Sequence, residues 1–298
     1  MFSKLEELFK QGANSKKKKL ALAVGQDKHA LEAIKKACEN NYIEAVLVGD
    51  TVEIKAIADE IAFDLSDIEL FDEKDKTKAV EIAIKLIGEG KADILMKGNV
   101  ATAVLLKGVL NKEWGLRAAK VLSHLALFEI KGYHKLLGLT DVAMNIAPDL
   151  DAKIGIVNNA VKYLNKIGIQ NPKVAAVSAA ETVNKSMVSS VDAAILAKMS
   201  DRNQITGCLI DGPLAFDNAI SKESAEHKGI QSKVAGNADL LLMPNIEAGN
   251  VLYKSLSFFA DSGIAAVILG AKAPIVLTSR SDTEESKLNS IYLAALGA

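Results

Sequence analysis

The side chains best suited to chemistry in this 298-residue chain follow the ends of short apolar runs. Lys97 ends one such run, Thr102 and Lys107 lie in the helical pattern after it, and Ser279 and Arg280 follow the last run. In a parallel sheet the carboxyl ends of the strands share one edge, where loops and helix N-termini bind ligands. Hydroxyls and cations at that edge suit the binding of an oxyanion. Turn formation and helix capping are the structural alternatives for each residue taken singly.

A second polar group follows predicted strands farther along the chain, and it consists of Asn145, Asn245, Glu247, Gly249 and Asn250. Amides and a carboxylate in this position suit an acyl- or amide-bearing ligand, so we interpret these residues as binding or structural rather than catalytic. Gly249 would permit a close approach at the start of a helix. The whole predicted edge contains few side chains that could act as bases.

Several familiar catalytic patterns are absent from the sequence. It has no GxxxxGK[ST] phosphate loop, no GxGxxG fingerprint, no GxSxG elbow and no HExxH zinc motif. The four histidines are scattered without ligand spacing, which is typical of surface or hydrogen-bonded core histidines. Cys38 and Cys208 lie far apart, so we predict free buried thiols and neither a disulfide framework nor a metal site.

The composition excludes several classes of partner. Lys plus Arg is 36 and Asp plus Glu is 37, a balance that argues against a strong nucleic-acid binder. No apolar run reaches the roughly 18–20 residues of a membrane helix, and the N-terminus lacks a secretory apolar region. We therefore expect a cytoplasmic protein. The run 16–19, four lysines directly before a buried strand, is interpreted as a solvated loop.

The apolar pattern predicts an α/β fold. The chain is 49% hydrophobic but only 5% aromatic, and continuous aliphatic runs are typical of strands covered on both faces. These runs fall near 20–24, 45–48, 68–71, 92–96, 125–128, 136–139, 174–177, 207–210, 240–243, 265–269 and 274–277. Helical spacing between them, as in 76–87 and 153–167, predicts crossovers in a mostly parallel sheet. The connections at 131–137 and 270–274 are too short for a helix, which indicates antiparallel pairs and a mixed sheet.

The sequence resembles the phosphate acetyl/butyryltransferase family over nearly its whole length. The segments that carry the resemblance are 92–98, 110–113, 115–117, 141–145 with Pro148, 211–214, 234–236, 244–250 and the pair Ser279-Arg280. The 244–250 block and the Ser279-Arg280 pair are its most specific parts. The segments 96–98 and 110–117 look more like the butyryl branch than the acetyl branch.

The resemblance implies reversible acyl transfer between coenzyme A and inorganic phosphate, with coenzyme A as substrate and no further cofactor or metal. It implies two three-layer α/β domains like those of isocitrate and isopropylmalate dehydrogenases, which we place at residues 1–130 plus 275–298 and 131–274. The active site would lie in the cleft between them. Such proteins are commonly homo-oligomers. In the acetyl branch the serine that matches Ser279 stabilises the transition state, and the arginine that matches Arg280 binds phosphate.

The chemistry agrees with those two roles. Attack on an acyl carbonyl passes through a tetrahedral oxyanion, which a hydroxyl such as that of Ser279 can stabilise. A guanidinium can hold phosphate through two parallel hydrogen bonds. Lys97, Thr102 and Lys107 are candidates for further phosphate contacts.

One position departs from the family pattern and leaves the general base open. The acetyl branch has an aspartate seven positions after the motif serine, where this sequence has Ser286. Asp282 or Glu285 could serve as the base, although both also fit a capping-box start for the last helix. We include Glu285 among the catalytic candidates on this ground.

Three alternatives to a butyryltransferase-like enzyme remain open. A phosphate acetyltransferase would differ only in its acyl pocket. A dehydrogenase of the same architecture would need clustered aspartates and a nucleotide-binding loop, neither of which the sequence shows. A ligand sensor that kept the fold without catalysis is disfavoured by the retained Ser279 and Arg280.

Overall fold

The fold follows from capped helices that alternate with buried strands. The structure, a computed structural model, describes residues 2–12, 16–277 and 282–298. By internal contacts the chain divides into a first unit, residues 1–8 and 120–264, and a second unit, residues 9–119 and 265–298. A short helix, α1 (Leu5–Phe9), spans the first point of division.

The second unit contains a mostly parallel sheet. Its elements in chain order are β1 (Lys18–Ala23), α2 (Lys28–Glu39), β2 (Ile43–Gly49), α3 (Thr51–Glu60), β3 (Glu69–Asp72), α4 (Lys76–Gly88), β4 (Ile94–Lys97), α5 (Thr102–Val109), β10 (Gly263–Leu269), β11 (Ile275–Val276) and α11 (Glu284–Gly297). The strand order is β3-β2-β1-β4-β11-β10, and among these described strands only the β10–β11 pair is antiparallel. Aspartates at positions 27, 50 and 75 cap α2, α3 and α4, because each side chain accepts from a backbone N–H of the first turn.

The first unit repeats this arrangement with its own strands. Its remaining elements are β5 (Ser123–Glu129), β6 (Leu137–Thr140), α6 (Leu150–Lys166), β7 (Lys173–Val177), α7 (Val188–Asp201), β8 (Leu209–Leu214), α8 (Phe216–Ile220), α9 (Lys222–His227), β9 (Leu240–Leu242) and α10 (Ile246–Phe259). The strand order is β5-β6-β9-β7-β8, and only the β5–β6 pair is antiparallel.

The predicted fold class is confirmed. Strands form at all eleven apolar runs, and the two antiparallel pairs, β5–β6 and β10–β11, arise at the two short connections. The seven residues 130–136 that join β5 to β6 cannot contain a crossover helix, so the chain has to return in the opposite direction.

The contact-based division differs from the one drawn from the sequence by about ten residues at the two boundaries they share, and it has a further boundary between Leu8 and Phe9. The segment 120–130 belongs to the first unit because β5 pairs with β6. In both divisions the C-terminal segment returns to the N-terminal half, where β11 pairs with β4 and α11 packs on α2. The sequence-based division stays a prediction.

A cluster of buried charged side chains connects the amino ends of three strands in the first unit. Lys135, of which 1% is exposed, donates to the Asn237 carbonyl at 2.9 Å and pairs with the Asp239 carboxylate. Asp239 also accepts from the Lys173 N–H at 2.8 Å. Burial lowers the pKa of Lys135, and the adjacent Asp239 opposes that shift. This cluster lies opposite the carboxyl ends of the strands, so we interpret it as structural.

Candidate active site

In the second unit the predicted phosphate-binding residues lie on β4 and α5. Lys97 is the last residue of β4, and its Nζ donates to the carbonyls of Gly98 and Val100 at 3.1 and 3.3 Å. Thr102 is the first residue of α5, as predicted, and it is exposed. Lys107 lies in the last turn of α5, about 7.5 Å farther along the helix axis than Thr102. The structure therefore places Lys97 and Thr102 at the carboxyl edge and Lys107 toward the far end of the helix.

Gly98 lets the chain turn directly after β4. A Cβ at this position would lie 2.2 Å from the Val24 carbonyl oxygen, closer than atoms can approach. The Gly98 and Asn99 N–H groups donate to the carbonyls of Ala23 and Val24 at 2.9 and 2.8 Å. These contacts hold the segment between β4 and α5 against the end of β1.

In the first unit, the carboxylate of Asp141 organises the turn after β6. Asp141 is 3% exposed and follows a cis peptide bond from Thr140. One of its oxygens accepts from the N–H groups of His124, Ala143 and Met144 at 3.2, 3.0 and 3.1 Å. The other accepts from the Asn145 N–H at 3.0 Å and from the Asn145 side-chain amide. A single buried carboxylate thus satisfies four backbone donors and one side-chain donor.

Asn145, a predicted binding residue, is anchored by this turn. Its amide also donates to the Leu122 carbonyl at 2.8 Å, which joins the turn to the segment before β5. The sequence places Asp141 and Asn145 together after the run 136–139, but only Asn145 is predicted as a binding residue. The signal was present in the sequence, since Asp141 directly follows an apolar run and precedes Asn145 by four residues.

The start of α10 packs on the same turn. Asn245 is the N-cap residue, and its Oδ1 accepts from the Ala248 N–H at 2.9 Å. Asn250 donates to the Val142 carbonyl at 3.2 Å. A Cβ on Gly249 would lie 2.6 Å from the Asp141 carbonyl oxygen, so the close helix start predicted for Gly249 is present. Glu247 lies in the first turn of α10 and is exposed.

His124 lies at this edge as well, which its isolated position in the sequence did not indicate. Its carbonyl accepts the Thr140 hydroxyl at 2.7 Å, and its ring meets the Tyr253 ring edge-on with centroids 5.8 Å apart. The ring is buried, as is common for a core histidine.

A buried ion pair that the sequence did not reveal lies near the start of α10. Lys153 Nζ and the Asp192 carboxylate are 2.6 Å apart, and both side chains are at most a tenth exposed. With Met243 and Pro244 they line a void of about 10 Å³, too small for a substrate. The pair joins α6 to α7, and we interpret it as structural support.

Comparison with known proteins identifies the family. A sequence profile described as phosphate acetyl/butaryl transferase matches residues 4–83 and 73–295. The phosphate butyryltransferase of Clostridium beijerinckii is 53% identical over 298 residues, which cover 100% of this chain and 99% of that protein. The chain belongs to the phosphate acetyl/butaryl transferase family. Its members are acyltransferases, so the prediction of an enzyme of this class is confirmed.

Solved structures agree with the family assignment. A branched-chain phosphotransacylase from Enterococcus faecalis superposes with a TM-score of 0.82 and 35% identity, covering 94% of this chain and 98% of that one. A 4-hydroxythreonine-4-phosphate dehydrogenase from Burkholderia phymatum superposes with a TM-score of 0.57 and 13% identity over 95% and 98% of the two chains. At that identity the likeness shows the fold alone, and it confirms the expected dehydrogenase-like architecture.

Two family positions, Ser279 and Arg280, lie outside the described residues. Their predicted roles as oxyanion donor and phosphate ligand stay predictions. The described chain resumes at Asp282, directly before α11.

The start of α11 corrects one sequence interpretation. The predicted capping box used Asp282 and Glu285, but the N-cap residue is Thr283, whose hydroxyl oxygen accepts from the Ser286 N–H at 3.1 Å. The backbone carbonyl of Asp282 instead accepts a hydrogen bond from the Lys287 ammonium, and Lys287 is buried. Glu285 is exposed in the first turn and does not form the predicted box. Ser286, which replaces the family aspartate, thus takes part in capping.

Both cysteines lie within the described residues, and both have raised pKa values. Burial raises the pKa of both Cys38 and Cys208 to about 11, which disfavours the reactive thiolate at neutral pH. Cys208 is buried and Cys38 is half-buried. Within residues 2–12, 16–277 and 282–298, no cluster of His, Cys, Asp or Glu could hold a metal ion.

Replacement of Gly249 by alanine should disturb the first unit. The new methyl group would press on the Asp141 carbonyl and Val142, so the start of α10 has to move. We expect a loss of about 1–3 kcal/mol in the free energy of unfolding and a lower kcat/KM, measured by denaturant titration and acyl-transfer assay.

Gly88→Ala is the matched control for this change. Gly88 is the last residue of α4, and a Cβ there meets nothing within 4 Å. This change should leave kcat/KM unaltered and raise stability by about 0.5–1 kcal/mol. Equal effects of the two substitutions would contradict the close packing of α10 on the Asp141 turn.

Proposed function

We propose that this protein transfers a short or branched acyl group reversibly between coenzyme A and inorganic phosphate, giving an acyl phosphate. The observation that supports this most is similarity over the full chain to a phosphate butyryltransferase. The branched-chain phosphotransacylase adds support for a short or branched chain rather than acetyl.

The transfer requires one bond to form and one to break. A phosphate oxygen attacks the thioester carbonyl carbon, and the tetrahedral intermediate collapses as the C–S bond breaks. The sulfur leaves as a thiolate and takes a proton. In the reverse direction a base removes that proton from coenzyme A before the thiolate attacks the acyl phosphate. The protein has to hold phosphate in line, stabilise the oxyanion and handle one proton.

Arg280 is proposed to hold the phosphate and Ser279 to donate to the oxyanion. Lys97 and Thr102, at the end of β4 and the start of α5, are proposed to extend the phosphate site. Lys107 would contribute charge from the last turn of α5 rather than a contact beside Thr102. Asp282 and Glu285 remain the candidates for the base.

The residues of the first unit are proposed to shape the acyl and coenzyme A side of the site. Asn145 and Asn250 have their amides engaged with backbone carbonyls, and Asn245 caps α10. These contacts support a role in holding the surface that meets substrate. The exposed Glu247 is the carboxylate of this group that would face substrate directly.

Phosphate acetyltransferase is the second candidate function, since the matching family includes both activities. Each methylene in an acyl pocket changes kcat/KM about 10- to 200-fold. We expect butyryl- or isobutyryl-CoA to exceed acetyl-CoA by at least about tenfold in kcat/KM, measured across a series of acyl lengths. A maximum at acetyl-CoA would assign the acetyltransferase activity instead.

We further expect the protein to act in the cytoplasm as a homo-oligomer. The helices of the described residues are all too short or too polar to cross a membrane.

A dehydrogenase activity on the same fold would require NAD(P) binding, and calorimetric titration with either nucleotide tests for it.

A further inference from the structure

The buried residue His124 lies at the carboxyl edge of the sheet of the first unit. β5 runs antiparallel to β6, with Ala126 opposite Leu139, and this register places His124 opposite Asp141. The start of β5 therefore reaches the edge at which β6 ends. Burial alone is common for a core histidine, so the location of His124 among the proposed substrate-binding residues is what distinguishes it.

The main chain of His124 is held on both sides. Its N–H donates to the Asp141 carboxylate at 3.2 Å, and its carbonyl accepts from the Thr140 hydroxyl at 2.7 Å. Thr140 and Asp141 are consecutive residues, and both are buried. His124 is thus attached to the turn that also anchors Asn145, and such support keeps a functional group in a fixed geometry.

Aromatic packing holds the His124 ring. His124 and Phe128 are four residues apart on β5, so their side chains lie on the same face of the strand. Tyr253 of α10 meets both rings edge-on, with centroids 5.8 Å from His124 and 5.4 Å from Phe128. The protein encloses Nδ1 of His124, and the residue as a whole is 7% exposed.

The proposed reaction needs a group that exchanges one proton with the sulfur of coenzyme A. The first unit is proposed to shape the acyl and coenzyme A side of the site, so a base for the thiol belongs at this edge. A general base works best when its pKa lies near the operating pH. Carboxylic acid side chains have reference pKa values of about 4, and imidazole has one of about 6.5, so an imidazole suits the task better.

Two carboxylates at the same edge are committed to other contacts. The oxygens of Asp141 accept from four backbone N–H groups and one side-chain amide. Glu181, which follows β7, accepts from the Asn218 amide and the Lys228 ammonium. The hydrogen bond from Lys228 lowers the pKa of Glu181, which makes it a weaker base.

We propose that the imidazole of His124, acting through Nε2, is the general base that takes the proton from the thiol of coenzyme A. This rests on the proposed function and assigns its base to a residue other than Asp282 or Glu285. In acyl-CoA synthesis the imidazole accepts the S–H proton, the thiolate forms the C–S bond at the acyl phosphate carbonyl, and the C–O bond to phosphate breaks. In acyl phosphate formation the imidazolium gives its proton to the departing thiolate, which leaves the neutral imidazole.

The described residues place charged and titratable groups around His124 on three elements. The turn after β6 carries Asp141, and α10 carries Tyr253 and Lys254, whose ammonium lies 5.4 Å from the Tyr253 ring centroid. α6, which packs on β5, carries the buried Lys153 in its first turn. Because Asp141 is saturated with donors and Lys153 is engaged in an ion pair, His124 exchanges its proton with substrate rather than with these groups.

The pH dependence of acyl-CoA synthesis tests the assignment. His124→Gln removes the imidazole and leaves the two main-chain hydrogen bonds in place. At pH 7 we expect its kcat/KM for coenzyme A to fall at least about 100-fold. The loss should shrink by about tenfold or more between pH 7 and pH 9, because a free thiol with a pKa of about 8.5 then ionises without help. A purely structural role would give the same loss at both pH values.

Added imidazole gives a second test. His124→Ala leaves space for a free imidazole, and imidazole in the buffer should restore turnover in proportion to its concentration. His134→Gln is the matched control, since His134 is exposed in the connection between β5 and β6, where its ring bonds to Asn237 at 3.2 Å. This variant should retain the wild-type kcat/KM and pH profile.

Three results would overturn the proposal: a loss in His124→Gln that is equal at pH 7 and pH 9, a folded His124→Ala protein that imidazole does not restore, or a pH-dependent loss in Glu285→Gln that His124→Gln lacks. Phosphate-dependent thiol release by the wild-type protein is measured first. An active wild type with such variants would refute the role of His124 alone, whereas an inactive wild type would refute the proposed function.

Discussion

Replacement of Asp141 by alanine is expected to lower the free energy of unfolding by about 3–4 kcal/mol, because several buried donors would be left without an acceptor, each at a cost of about 1–3 kcal/mol. The carboxylate accepts from four backbone N–H groups and from the Asn145 amide. Asp141→Asn should be nearly as damaging, since it removes one acceptor and directs an amide donor at other donors.

Asp141→Asn should also reduce the rate of acyl transfer by more than its effect on stability explains. The Asp141 turn supports α10 through the close contact with Gly249 and the bond from Asn250 to Val142. A displacement of about 1 Å in a positioned group can lower kcat/KM about 100-fold, which we expect for Asp141→Asn assayed well below its melting temperature.

Asp59→Asn is the control for both measurements. Asp59 is exposed on α3 and far along the sequence from the turn, so stability and kcat/KM should hardly change. An Asp141→Asn protein with wild-type stability and turnover would show that the turn does not organise the site.

Replacement of Arg280 by alanine is expected to lower kcat/KM about 10²- to 10³-fold. The guanidinium is proposed to hold phosphate through two parallel hydrogen bonds, so the KM for phosphate should rise along with the fall in kcat. Arg280→Lys retains the charge but loses the two-pronged geometry, and it should recover only part of the activity.

The chain provides a matched control for this prediction. Its three arginines are Arg117, Arg202 and Arg280, and Arg202 is an exposed residue at the C-terminal end of α7. Arg202→Ala should retain wild-type kinetics. Unchanged turnover in Arg280→Ala would contradict the proposed role of Arg280 in holding phosphate.

The fold could be predicted from the sequence because its strands are continuous aliphatic runs. Leu20 to Ala23 are fully buried in β1, as such a run requires. The direction of β5–β6 and β10–β11 could be predicted because a short connection allows only an antiparallel pair.

The local arrangement of the site was harder to predict from the sequence. Asp282 and Thr283 are both good N-cap residues, and only the hydrogen bond to the Ser286 N–H shows that Thr283 takes that position. The convergence of five hydrogen-bond donors on the Asp141 carboxylate depends on backbone geometry, which residue types alone do not encode. Thr102 and Lys107 lie five residues apart on α5, and their roles as phosphate contacts stay predictions.

Helix α10 has a further feature that the sequence did not predict. Its sequence is that of a helix with a buried apolar face. Burial by this chain reaches Gly249 but not Phe258 or Phe259. The exposure of these two aromatic side chains could not be predicted from the sequence pattern.

Phosphate-dependent release of coenzyme A is the most direct measurement of the central claim. The purified protein would be mixed with butyryl-CoA, with and without inorganic phosphate, and free thiol followed over time; its own two cysteines, with pKa values of about 11, should contribute little background. We expect thiol to appear only with phosphate and in equal amount to butyryl phosphate, trapped as its hydroxamate. Release that does not depend on phosphate, or no release with any short-chain acyl-CoA, would contradict the account.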